Sequence, residues 1–129
     1  MDLKKVIVVD DEPDIREMLE ALFQTEGYQV HVFEDGETAL PQIQMAGPCV
    51  LFFDLKLPSM SGLDLCREVR TFNSIAIIYA MTGYTSLFEL SDCREAGFDD
   101  FFVKPISSSL FLRATKQAFE KLDRWSKKK

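Results

Sequence analysis

Residues 5–13 read Lys5-Val6-Ile7-Val8-Val9-Asp10-Asp11-Glu12-Pro13, and the change of character within that stretch decides the fold. Four β-branched residues in succession favour an extended strand, and a run without polar alternation suits a strand covered on both faces. Two acids end the run. Pro13 then fits the first turn of a helix, where its missing N–H costs nothing. Ile15, Met18, Leu19 and Leu22 recur on one helical face, and Gly27 closes the segment.

The same unit recurs along the chain. Strands are predicted at Lys5 to Val9, Gln29 to Phe33, Cys49 to Phe53, Ile75 to Met81 and Phe101 to Val103. Helical segments separate them, the pattern of parallel strands joined by crossover helices. Ser61 with Asp64 has the spacing of a capping box, and Leu65, Cys66, Val69 and Phe72 form the stripe of the third helix. Phe111, Ala114, Thr115, Ala118 and Leu122 mark the face of the last one. Pro41 falls well inside the second helical stretch, so that helix is expected to be kinked, late or short. The expected architecture is α/β: a doubly wound, five-stranded parallel sheet with helices on both faces.

At 129 residues the chain fits one domain, placed here at 1–124, with 125–129 a basic tail or the start of a linker. Apolar residues make up 47% and charged residues 28%, which is the balance of a globular protein that folds by burial. The formal charge of −6 argues against direct nucleic-acid binding, which needs a basic surface, and Lys127 to Lys129 do not reverse it. Cys49, Cys66 and Cys93 are odd in number and widely spaced, which points away from disulfides and zinc and towards a reducing, cytoplasmic setting. No apolar run approaches the ~20 residues that span a bilayer, so no membrane association is expected.

Polar residues collect at the carboxyl ends of the strands, where open α/β sheets bind ligands. The first strand runs into Asp10-Asp11, the third into Asp54, the fourth ends at Thr82, and the fifth ends at Lys104-Pro105. In strand order 2-1-3-4-5 the first and third strands are neighbours, which brings the three acids together. Carboxylates held so close repel, and a hard divalent ion resolves the conflict. Few oxygen ligands with room for water suit Mg2+ better than zinc or a caged calcium. Lys104 adds a fixed positive charge and Thr82 a hydroxyl donor, the pieces needed to hold phosphoryl oxygens.

Four segments, in order and each at a strand end, carry a resemblance: Val-Val-Asp10-Asp11-Glu12-Pro13, Asp54-Leu-Lys-Leu-Pro58-Ser-Met-Ser-Gly62, Met81-Thr82-Gly83 and Phe101-Phe-Val-Lys104-Pro105. Over its whole length the chain resembles a response-regulator receiver domain, which implies a flavodoxin-like fold. The resemblance implies that Asp54 is the phosphoacceptor, taking a phosphoryl group from a phosphohistidine on a histidine kinase or histidine phosphotransfer protein. It implies that Asp11 and Asp54 bind Mg2+ directly, Asp10 through water, and Lys56 through its backbone carbonyl. Lys104 would pair with the phosphoryl group and Thr82 would swing towards it, while Phe101 stands where the family has its switch aromatic. The face made by helix 4, strand 5 and helix 5 would then change for a downstream effector or a fused output domain. Phosphorylation-dependent dimerisation through the fourth-helix face stays open.

Lys56 and Tyr84 lie two residues beyond Asp54 and Thr82, and their long side chains are read as hindering the attacking water and lengthening the phosphorylated lifetime. His31 has no second ligand near it in sequence, the cysteines read as small apolar residues, and Trp125 is an anchor of the last helix or a partner contact. Two other functions compete with the switch: a magnesium-dependent phosphatase with an aspartate nucleophile, and a receiver-like module that binds partners without phosphorylation. The phosphatase usually carries its nucleophile and acid two apart after the first strand, unlike the adjacent pair here. Retention of Asp10, Asp11, Asp54, Thr82 and Lys104 speaks against the second.

Overall fold

A computed structural model describes residues 4–83 and 87–126. The chain alternates strand and helix five times: β1 (Lys5–Val9), α1 (Pro13–Thr25), β2 (Gln29–Phe33), α2 (Gly36–Ala46), β3 (Val50–Asp54), α3 (Gly62–Arg70), β4 (Ile77–Thr82), α4 (Leu87–Ala96), β5 (Asp100–Val103) and α5 (Ser108–Ser126). All neighbouring strands are parallel, in the order β2-β1-β3-β4-β5. The order reverses between β1 and β3, so connections leave on opposite faces there and open a crevice beyond the strand ends.

The alternation of side chains along β1 splits the core in two. Ile7 and Val9 join Ala39 and Ile43 of α2, Leu65 and Val69 of α3, and Ala96 of α4. Val6 and Val8 join Leu19 and Phe23 of α1 and Phe111, Phe119 and Leu122 of α5. Three helices therefore cover one face and two the other. Every residue of β3 and β4 is buried, as the unbroken apolar runs require. On the α1 and α5 side Phe52 stacks on Phe111 at 5.0 Å between centroids.

Several sequence expectations need correction: β3 and β4 run Val50–Asp54 and Ile77–Thr82, later than expected, β5 begins one residue earlier at Asp100, and three helical readings change. Pro41 neither delays nor shortens α2, which starts directly after its N-cap Asp35 and runs 11 residues through the proline. Pro in a helix interior costs about 3 kcal/mol. Burying Ile43, one turn from an equally buried Ala39, returns about 2 kcal/mol. The Asp35 side chain, accepting from Thr38 N at 2.8 Å, adds a cap. In α1, Met18 faces solvent and Phe23 takes the buried place beside Leu19. Phe72 lies beyond the end of α3 and is 41% exposed.

The amino-terminal ends of β4 and β5, opposite the carboxyl ends of the strands, are held by Arg70. Its guanidinium donates to the carbonyls of Gly97, Ser74 and Ala76 and pairs with Asp99 at 3.0 Å. Asp99 in turn accepts from Ile78 N at 2.8 Å, which ties the ends of α3 and α4 to the start of β4. No helix among the described residues is long and apolar enough to cross a membrane.

Candidate functional site

Register brings the polar strand ends into one row. Val9 pairs with Phe53, so Asp10 follows beside Asp54, the last residue of β3. Asp54 pairs with Met81, which places Thr82 one step beyond, and Thr82 pairs with Val103, which places Lys104 next in line. The Lys104 N–H donates to the Thr82 carbonyl at 2.8 Å, and the Lys104–Pro105 peptide is cis.

Asp10 is fully buried and Asp54 is 6% exposed. Asp10 Oδ1 accepts from Glu12 N at 2.9 Å, and Asp54 Oδ1 accepts from Lys56 N at 3.1 Å. Both second oxygens face one ammonium: Lys104 Nζ stands 3.0 Å from Asp10 Oδ2 and 3.3 Å from Asp54 Oδ2. The contact to Asp10 Oδ2 is an ion pair by distance but lacks hydrogen-bond geometry, so that buried oxygen has a nearby charge and no directed donor. A third carboxylate completes the group, with Glu12 Oε1 at 2.7 Å from Lys104 Nζ.

Electrostatics follow from this packing. Burial, first of all, raises the Asp10 carboxyl above its ordinary range, and Asp54 adds to the effect, while the Glu12 N–H and Lys104 offset part of it. Asp54 is raised for the same leading reason, with the Lys56 N–H and Lys104 opposing and Asp11 contributing to the rise. Burial alone would lower Lys104, but Glu12, Asp10 and Asp54 outweigh it and hold the ammonium above the usual lysine range.

Carboxylate oxygens of Asp10, Glu12 and Asp54 all lie within 4.8 Å of one another. Three carboxylates against one ammonium leave a negative pocket made only of hard oxygen donors, a set that suits a hard divalent cation and no soft metal. The undirected Asp10 Oδ2 is an oxygen such an ion would take up.

The response regulator receiver domain family matches the chain over residues 6–116. The chain is a receiver domain. It is 34% identical over 102 residues to the DNA-binding response regulator MtrA of Mycolicibacterium smegmatis, covering 79% of this chain and 44% of that protein. It thus spans less than half the length of that relative. A receiver domain protein (CheY-like) of Methanospirillum hungatei superposes with a TM-score of 0.87 at 26% identity, over 95% of this chain and 99% of that one. The chemotaxis protein CheY4 of Vibrio cholerae gives 0.85 at 28%, over 91% and 99%.

Within this receiver domain Asp10, Asp54 and Lys104 meet in one pocket, and buried Thr82 ends the adjacent strand. Asp11 is exposed and stands outside the tight carboxylate group, acting on Asp54 through its field. Lys56 reaches Asp54 through its backbone N–H while its side chain is exposed. Phe101 is half-buried against the α2–α3–α4 core and lines a cavity of about 580 Å³ with Leu90, Cys93 and Phe98. Phe102 packs on the opposite face, 4.7 Å from the Phe111 ring centroid. Tyr84 lies outside the described residues.

The three cysteines are buried and free, His31 belongs to none of the metal-capable groups found among the described residues, and Trp125 is 56% exposed. Two residues of the site went without a role in the sequence reading. Glu12 is the N-cap of α1 yet makes no side-chain cap, an unusual residue at that position whose carboxylate is engaged elsewhere. Gly62 opens α3 hard against β3, where a Cβ would meet the Asp54 carbonyl oxygen and sit 2.8 Å from Leu55 Cα.

Proposed function

We propose that Asp54 is the phosphoacceptor of this receiver domain. The observation that carries the reading is the setting of its side chain: a buried carboxylate at the end of the central strand, 3.3 Å from Lys104 Nζ and grouped with Asp10 and Glu12. One Asp54 oxygen attacks the phosphorus of a phosphohistidine on a histidine kinase or phosphotransfer protein. The new O–P bond forms as the P–N bond breaks, and the imidazole nitrogen keeps that electron pair. Lys104 would pair with phosphoryl oxygens, and Thr82 would donate its hydroxyl proton to them.

Asp10, Asp11 and Asp54, with the Lys56 carbonyl, are the groups we assign to Mg2+. Bound there, the ion would neutralise the entering phosphoryl group. The chain's own chemistry is limited to accepting the group and losing it slowly to water, with Lys56 and Tyr84 setting that lifetime. A new charge beside Thr82 biases the packing of Phe101 and the α4–β5–α5 face, which a downstream effector or fused output domain reads in the cytoplasm.

Incubation with acetyl phosphate and Mg2+, followed by intact mass measurement, tests the reading. One phosphoryl adduct is expected on the native chain and none on Asp54→Asn. An adduct that survives in Asp54→Asn would overturn it.

A further inference from the structure

Lys104 has three ammonium protons and three carboxylates around it, and the three contacts are not equal. The shortest goes to Glu12 Oε1 at 2.7 Å, against 3.0 Å to Asp10 and 3.3 Å to Asp54. Glu12 also differs in place. Asp10 and Asp54 are buried at strand ends, whereas the Glu12 side chain is 59% exposed at the rim, on the first residue before α1. The Lys104 side chain between them is only 15% exposed, so it has little water to turn to when a carboxylate is withdrawn.

Asp10 and Asp54, which with Asp11 would hold a divalent cation, are two of the three carboxylates that now face Lys104, and a cation there would repel the ammonium. Glu12, which is outside that assigned set, would then be the carboxylate left to Lys104. We propose that Glu12 is the anchor of Lys104, a positioning residue that keeps the ammonium at the pocket mouth once Asp10 and Asp54 turn to metal. The proposal rests on the reading of Asp54 as acceptor and Lys104 as partner of the phosphoryl group. It explains why an acid of poor capping preference occupies the N-cap of α1 and makes no cap there. The side chain is committed across the site, to a lysine 92 residues away in sequence.

The test is a double-mutant cycle of Glu12→Gln and Lys104→Met, read as the rate of phosphorylation by acetyl phosphate at saturating Mg2+. Glu12→Gln is expected to slow the reaction about fivefold, the size of a partly exposed ion pair. In the Lys104→Met background it should slow it no further. A second readout needs no phosphorylation: the side-chain 15N–1H signal of Lys104, in metal-free and Mg2+-loaded protein, should weaken or shift in Glu12→Gln. Equal slowing by Glu12→Gln in both backgrounds, or an unmoved Lys104 signal, would overturn the anchor alone. An unchanged rate in Lys104→Met would overturn the underlying reading of Lys104, and the anchor with it.

Discussion

Gly62 packs its Cα against the backbone of Asp54 and Leu55, so closely that a side chain would strike the Asp54 carbonyl oxygen, while its N–H donates to the Leu55 carbonyl at 3.0 Å. The seven residues from Leu55 to Ser61 can therefore fold back over the end of β3 and deliver the Lys56 N–H to the Asp54 carboxylate. Ser59 takes a φ of 65° within that return.

Gly62→Ala is accordingly expected to destabilise the fold by about 2 kcal/mol, the cost of forcing a methyl into filled space where the neighbour is backbone and cannot step aside. It should also disturb the Asp54 side chain more than distant parts of the core. Urea denaturation and amide chemical shifts check both. An unfolding midpoint equal to the native one would show that the contact is not tight.

Metal-free stability should respond to the charge on Asp10. Burial raises its carboxyl above the ordinary 3.8, so the native state binds that proton more firmly than the unfolded chain does. Stability is then lost as pH rises from that ordinary value through the raised native one, and stays lower at neutral pH. Asp10→Asn removes the ionisation. In chelator-treated protein it should melt higher than the native chain at pH 7, with the gap closing as pH falls below the ordinary carboxylate value. A variant that melts lower at pH 7 would contradict the assignment of burial as the leading cause.

Pro41 gives a prediction of opposite character. It is exposed on α2 and withholds an N–H that the Glu37 carbonyl would otherwise accept. Pro41→Ala restores that donor without touching Ala39 or Ile43, and should stabilise the chain by roughly 1–3 kcal/mol. Thermal melts decide it. No gain would mean that the helix has already adapted around the ring.

What the sequence made legible follows from which forces are local. β1 and β2 were readable to the residue, because a β-branched run and its flanking acids or glycine act within a few positions. The pocket's Asp10, Asp54 and Lys104 were readable because strand order turns distant strand ends into neighbours. Met18 and Phe23 both fit a helical stripe, Met18 three residues after Ile15 and Phe23 four after Leu19, and only the angle of α1 on the sheet chooses between them. Pro41 misled because a backbone penalty is visible in sequence and the burial that offsets it is not. Glu12 was beyond reach for a similar reason: its partner is chosen by side-chain packing across the site and by no spacing rule.

Reduction of the phosphorylated chain shows directly whether Asp54 itself carries the phosphoryl group. Borohydride converts an aspartyl phosphate to homoserine, which peptide mass mapping locates. Homoserine at position 54, dependent on Mg2+ and on the phosphoryl donor, is the result expected. Homoserine at position 10 or 11 instead, or a phosphoryl adduct that yields none, would contradict the account.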